Sequence, residues 1–255
     1  MTQEAAPVRD LLDEWELTPD GLQKGVLPVR TTGGRPAVLK LGAAEHEHLA
    51  LQHWHGAGAV QLLRADPHRF ALLLERLHPE DLTDVWDVQA CEIVAGLYER
   101  LHIPAPLQLP RLSNEVQRWT ERLVDAPLPR RLVEQTVALS RAFASDEATD
   151  GRLLHTDLHY GHVLAGDREP WLAIAPEPLS GDPHFEVAPL LWHRWDELEG
   201  DVRRGVRARF HAAIDAAKLD EERARDWVVV RTVLRAAADP DQVTRCIAIA
   251  KSVQD

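Results

Sequence analysis

Short apolar runs separated by turn-forming residues occupy the first third of the chain. "GVLPVRT" (25–31) and "PAVLKLG" (36–42) are β-prone and flank Thr32-Gly33-Gly34-Arg35, a sequence suited to a hairpin turn. "EHEHLALQHW" (45–54) is rich in helix formers and predicts one helix. "AVQLLRA" (59–65) and "RFALLLERL" (69–77) predict a second strand pair around Asp66-Pro67-His68. "HPEDLTD" (78–84) breaks the pattern and reads as a connector.

Beyond it the period lengthens towards that of a helix. In 84–102, Val85, Val88, Ile93, Leu97 and Leu101 recur near helical spacing, and Asp84 is the expected N-cap. Proline-rich 103–112 stops that helix. Further helices are predicted at 114–125, 129–145, 203–217, 221–237 and 240–253. Short apolar strands, "RLLH", "HVLAG" and "WLAIA", interrupt them within 152–175. A strand-rich lobe, a connector and a larger helical lobe fit many α+β proteins.

Composition narrows the partners. The 255 residues include 45% hydrophobic and 27% charged positions, ordinary for a globular protein. No apolar run approaches the roughly 20 residues of a membrane helix. The acidic N-terminal segment lacks the basic and apolar regions of a secretion signal. A cytoplasmic protein without a membrane partner is expected. A net charge of −12 is the wrong sign for a generic nucleic-acid binder. It suits a cationic small molecule, though plain solubility explains it as well. Cys91 and Cys246, far apart, predict two buried thiols.

The chemistry concentrates in "LLHTDLHYGHVLAGDREPWLAIAPEP" (153–178), where His155, Asp157, His159 and His162 fall within eight positions. "HTDLHYGH" resembles the catalytic loop of aminoglycoside phosphotransferases and related antibiotic kinases, usually His-Gly-Asp-Leu-His-x-x-Asn. "LSGDPHFEVAPLLWHRW" follows as in the streptomycin and hydroxyurea kinase branch, and "PAVLKLG", "EHEHLAL" and "LYERLHIPAP" extend the similarity. The resemblance implies an α+β, bilobal protein-kinase-like fold. Its β-rich N-lobe would span 1–77, the connector 78–83 and the helical C-lobe 84–255.

It also implies roles. Lys40 matches the lysine that contacts nucleotide phosphates, and Glu47 is its expected partner, with Glu45 as the alternative. "ERL" (75–77) would meet adenine. Asp157 matches the carboxylate that orients the substrate hydroxyl or accepts its proton, while His155 and His159 would be architectural. Asp182 and Glu186 match an acid pair that mainly supports the loop. Asp182, Trp192, His193 and Trp195 are the candidate substrate contacts. Gly21 and Gly25 specify a phosphate-covering loop only weakly.

Two positions depart from the pattern. The family's magnesium-ligating asparagine and aspartate are replaced by His162 and Ala175. Magnesium prefers oxygen donors. Imidazole suits zinc, nickel or copper, and alanine offers no donor. Glu177 is a possible substitute ligand, although Pro176 and Pro178 stiffen its turn. The histidines superficially resemble a zinc cluster, but a kinase-shaped loop would not converge them all on one point. A transition-metal site using only Asp157 and His162 is the residual alternative.

Three functions follow. The first expectation is a small-molecule cleft with lost or strongly weakened kinase activity that binds a ligand or partner. The second is repurposed acid/base chemistry by Asp157 and His162, for example in natural-product biosynthesis. The alternative is an active phosphotransferase using ATP and Mg²⁺ on an aminoglycoside-like or other hydroxylated antibiotic.

Overall fold

Strand parity fixes the direction in which Lys40 points. The computed structural model describes residues 5–23, 25–121, 123, 128–198 and 200–254, with side chains from residue 8 onwards. Helix α1 (Ala5–Glu14) precedes strands β1 (Thr18–Pro19), β2 (Leu27–Arg30) and β3 (Pro36–Leu41). Helix α2 (Glu47–Trp54) leads to β4 (Leu62–Asp66) and β5 (Ala71–Glu75). The strands form one antiparallel sheet in the order β1-β2-β3-β5-β4. Ala37 and Leu39 of β3, with Ala71 and Leu73 of β5, pack against Leu11 of α1 and Trp15. Val38, Leu72 and Leu74 join the main core with Leu51 and Trp54 of α2. Lys40 has the parity of Val38, so it lies on the α2 face.

Helix α1 was not anticipated. Only Leu11 is a fully buried leucine within it, so its apolar stripe has meaning only once the sheet supplies a partner. Covering both faces explains why β3 buries three consecutive residues, Ala37, Val38 and Leu39.

The larger part is helical: α3 (Asp87–Leu101), α4 (Leu112–Glu121), α5 (Arg130–Ser145), α6 (Ala188–Trp192), α7 (Val202–Ala217), α8 (Glu221–Ala238) and α9 (Val243–Gln254). Helix α3 packs on α7, and α8 on α9. Asp84 is not the α3 cap. It ends a tight turn, Leu82–Asp84, whose own cap is Asp81, accepting from the Thr83 amide at 2.8 Å. The buried face of α3 runs through Ala90, Cys91, Val94, Leu97, Tyr98 and Leu101, leaving Val88 and Ile93 half-buried. Helix α9 starts at Val243 because Pro240–Gln242 forms a separate turn. The predicted end of α4, residues 124–125, lies outside the described residues.

Two small ribbons carry the loop at 155–162. Strand β6 (Arg152–Leu154) pairs with β9 (Leu179–Gly181), and β7 (Val163–Ala165) with β8 (Trp171–Ala173). Strand β9 escaped prediction because it is three residues long and held by a distant partner. Its Gly181 is dictated by space, since a Cβ there would stand 2.5 Å from Leu154 Cδ1. Both cysteines are free and buried.

Candidate active site

The loop between β6 and β7 is tied down mainly through its backbone. Glu186, fully buried, accepts from the amides of His155 (2.5 Å) and Thr156 (3.0 Å). Arg231 of α8 donates to the Thr156 carbonyl at 2.8 Å, and Thr156 Oγ1 donates to the Glu177 carbonyl at 2.7 Å. These bonds hold Thr156 at φ 67°, where a β-branched residue is strained. The usual form of the motif has glycine there, a departure the sequence reading passed over.

His155 donates from Nε2 to the Ile174 carbonyl at 2.8 Å, as expected of an architectural residue. Burial lowers its pKa to about 4. His159 accepts the Gly161 amide on Nδ1 at 3.2 Å. Burial and the neighbouring His162 and His193 push it down to about 2. His162 donates from Nδ1 to the Asp157 carbonyl at 2.8 Å. The Asp157 carboxylate remains accessible, with Oδ2 3.6 Å from His162 Nδ1 and 3.9 Å from His159 Nε2.

Asp157 opens onto a cleft of about 960 Å³, lined also by Glu45, Glu177, Trp119, Trp192 and Arg235. Of the four candidate substrate contacts, Trp192 lies on this cleft. His193 sits beside it, stacked on His159 with centroids 3.7 Å apart. Trp195 packs partly buried at the main core, under the Arg245 guanidinium. Asp182 does not line the cleft. It is buried, bonding Arg223 (2.5 Å), Trp227 Nε1 (2.6 Å) and His184 (2.6 Å). With its oxygens occupied by these partners, Asp182 is held in the packed interior and not, as expected, among the ligand contacts of the cleft. Arg231 and Arg235 were missed. Their i,i+4 spacing on an apolar helix was the available signal.

The Lys40–Glu47 pair is formed. Lys40 Nζ donates to both carboxylate oxygens at 2.8 and 2.7 Å, while Glu47 also accepts from the Ala44 amide at 3.2 Å. Glu47 is completely buried, so the alternative partner Glu45 is not needed. Glu75 of "ERL" accepts from the Gln61 amide at 2.8 Å and from Arg168 at 2.7 Å.

The residues present do not fit the magnesium site of this kind of loop. Ala175 presents a methyl group, and His162 has already committed Nδ1 to a carbonyl. Among the described residues, one trio of His, Cys, Asp or Glu brings its ligand atoms within 4.8 Å, namely Asp157, His159 and His193. Neither His162 nor Glu177 belongs to it. In that trio the two imidazoles stack nearly parallel, at 13°. In the neutral ring, acceptance of the Gly161 amide by His159 Nδ1 also puts the proton on Nε2.

The chain is 42% identical over 255 residues to streptomycin 6-kinase of Streptomyces glaucescens, covering 92% of this chain and 82% of the relative. It is 39% identical over 247 residues to hydroxyurea phosphotransferase of Kitasatospora aureofaciens, covering 89% and 70%. Among solved structures, choline kinase LicA from Streptococcus pneumoniae superposes with TM-score 0.66 at 12% identity, over 100% of this chain and 99% of that one. Aminoglycoside phosphotransferase APH(4)-Ia, in complex with ADP and hygromycin B, superposes with TM-score 0.60 at 14% identity, over 96% and 97%. These structures share the bilobal kinase-like fold. Residues 9–242 match the aminoglycoside/hydroxyurea antibiotic resistance kinases, and the chain belongs to that family.

Proposed function

We propose that this chain is an O-phosphotransferase for a small hydroxylated, antibiotic-like molecule, with ATP as phosphoryl donor. The observation that carries the reading is the intact Lys40–Glu47 pair, whose acid is wholly buried. A buried carboxylate is costly unless paired, and here the pairing leaves a fixed ammonium suited to nucleotide phosphates. The streptomycin and hydroxyurea kinases among the relatives support it. Asp157, accessible in the cleft, would hold the substrate hydroxyl. That oxygen attacks the γ-phosphorus, the bond to the β-phosphate oxygen breaks, ADP leaves, and the hydroxyl proton passes to Asp157. Residues 1–77 form the nucleotide-facing lobe in this reading, and 84–255 carry most of the acceptor cleft beyond the connector 78–83, with Glu45 closing it from the smaller lobe.

A second reading, ligand binding with little turnover, is favoured by one observation: Ala175 and His162 replace both oxygen donors of the metal site. Repurposed acid/base chemistry finds less support. His162, the imidazole on which that reading relies, has its Nδ1 proton committed to the Asp157 carbonyl, and the relatives are named as a kinase and a phosphotransferase.

Calorimetric titration with ATP, with and without Mg²⁺ or Mn²⁺, paired with phosphate transfer to streptomycin and an aminoglycoside panel, separates the two. Metal-dependent ATP binding with turnover supports the kinase. Ligand binding without transfer under any metal supports the second reading and overturns the first.

A further inference from the structure

Helix α8 sets two guanidiniums, one turn apart, against a single indole. Arg231 Cζ lies 5.1 Å and Arg235 Cζ 4.7 Å from the Trp192 ring. Arg231 commits one donor of each terminal nitrogen to a protein carbonyl, Phe185 and Thr156, at 2.8 Å each. Among the described residues, Arg235 does not. Its Nε is buried without a hydrogen-bond partner among the described residues, and so is Nε1 of Trp192, a residue only 5% exposed. Both side chains line the cleft onto which Asp157 opens.

The charges of that cleft are sorted by wall. Its acids Glu45, Asp157 and Glu177 stand on loops and Glu115 on α4, whereas the charged groups that α8 contributes are the two arginines. Arg118 of α4 is already paired with Glu115. The imidazoles closest to this end add no balancing anion. Dry N–H donors without an acceptor remain a standing cost until an oxygen reaches them, and a guanidinium fork matches a carboxylate in shape and charge.

We propose that Arg235 and Trp192 form an oxyanion-binding subsite, and that the molecule taken by this cleft carries a carboxylate beside the hydroxyl presented to Asp157. This rests on the cleft being the acceptor-substrate site. It sets the chain apart from a binder of purely cationic sugars. A ligand cation would sort to the Glu45 and Glu177 side, and the carboxylate to α8.

Three probes share one hydroxylated ring and differ in charge: glucuronate, glucose and glucosamine. Each is titrated into the ¹⁵N-labelled full chain while the indole N–H resonance of Trp192 is followed, assigned by its loss in Trp192→Phe. Glucuronate is expected to move that resonance and to bind at least about tenfold tighter than glucosamine. Arg235→Gln removes the preference, and Arg235→Lys, which keeps charge but not the fork, retains part of it. Equal affinities, tighter binding of glucosamine, no response of Trp192 to any probe, or a preference that survives Arg235→Gln overturns the subsite. Phosphate transfer from ATP is scored separately on the same samples. Transfer to a cationic acceptor without glucuronate preference sinks the subsite and spares the phosphotransferase. Glucuronate selectivity without transfer to any acceptor does the reverse.

Discussion

His162 donates from Nδ1 to the backbone carbonyl of Asp157 at 2.8 Å, across the loop that holds the site's accessible carboxylate. A carbonyl can only accept, so the neutral imidazole keeps its lone pair on Nε2. The side chain braces the loop from a position where the family carries an oxygen ligand.

Restoring that ligand set is the direct test of what it costs. His162→Asn combined with Ala175→Asp is expected to raise Mg²⁺-dependent phosphate transfer by about a hundredfold or more, equivalent to roughly 3 kcal/mol of transition-state stabilisation. The measurement is kcat/KM for ATP over a magnesium titration, with the acceptor of the panel that the native chain phosphorylates best. An unchanged rate would mean that the native site obtains its electrostatics elsewhere.

Ala175 is also strained. It adopts φ 55°, a left-handed conformation that costs a residue with a Cβ about 1–2 kcal/mol. Part of that gain is offset by the greater freedom of glycine in the unfolded chain. Ala175→Gly should therefore stabilise the fold by roughly 0.5–1 kcal/mol, read as a higher urea midpoint at unchanged slope. A lower midpoint would show that the methyl packs usefully.

Asp182 separates structural from ligand roles. Asp182→Asn leaves its close partners Arg223 and Trp227 facing a neutral amide, and is expected to cost about 3 kcal/mol or more. The surviving folded fraction should keep its acceptor KM. A raised KM at unchanged stability would return Asp182 to the substrate surface.

The histidines set a pH dependence whose sign is fixed. Burial lowers His155 and His193 to about 4 and His159 to about 2, below the ordinary 6.5. The unfolded chain thus takes up protons first as pH falls, and stability drops from about pH 6.5 towards 4. Asp182 and Glu186, whose pKa values are lowered in the fold, extend the loss through the acid range below their ordinary values. Urea midpoints between pH 7.5 and 4.5, on the order of the neutral-to-acid window, check this. Replacing His193 by Asn should flatten the slope, and an identical slope would remove that residue from the account.

The sequence alone carried the family, the order of most elements and Glu47 as the expected partner of Lys40, and the structure removed the alternative, Glu45. Those expectations rest on contiguous stretches: "PAVLKLG" and "HTDLHYGH" carry the resemblance without coordinates, and the resemblance implies the role of Lys40. It also exposed the exchanged metal positions, because a missing carboxylate is visible without coordinates. Only the tertiary structure decided which polar groups are satisfied. Asp182 looked like a ligand contact until Arg223, Trp227 and His184 were brought onto it from distant segments. Helix α1 and strand β9 gain their sense from partners far away in the chain. Arg231 and Arg235 read alike on one helix face, yet one meets two carbonyls and the other, among the described residues, meets none, because hydrogen-bond partners are set by packing rather than by spacing.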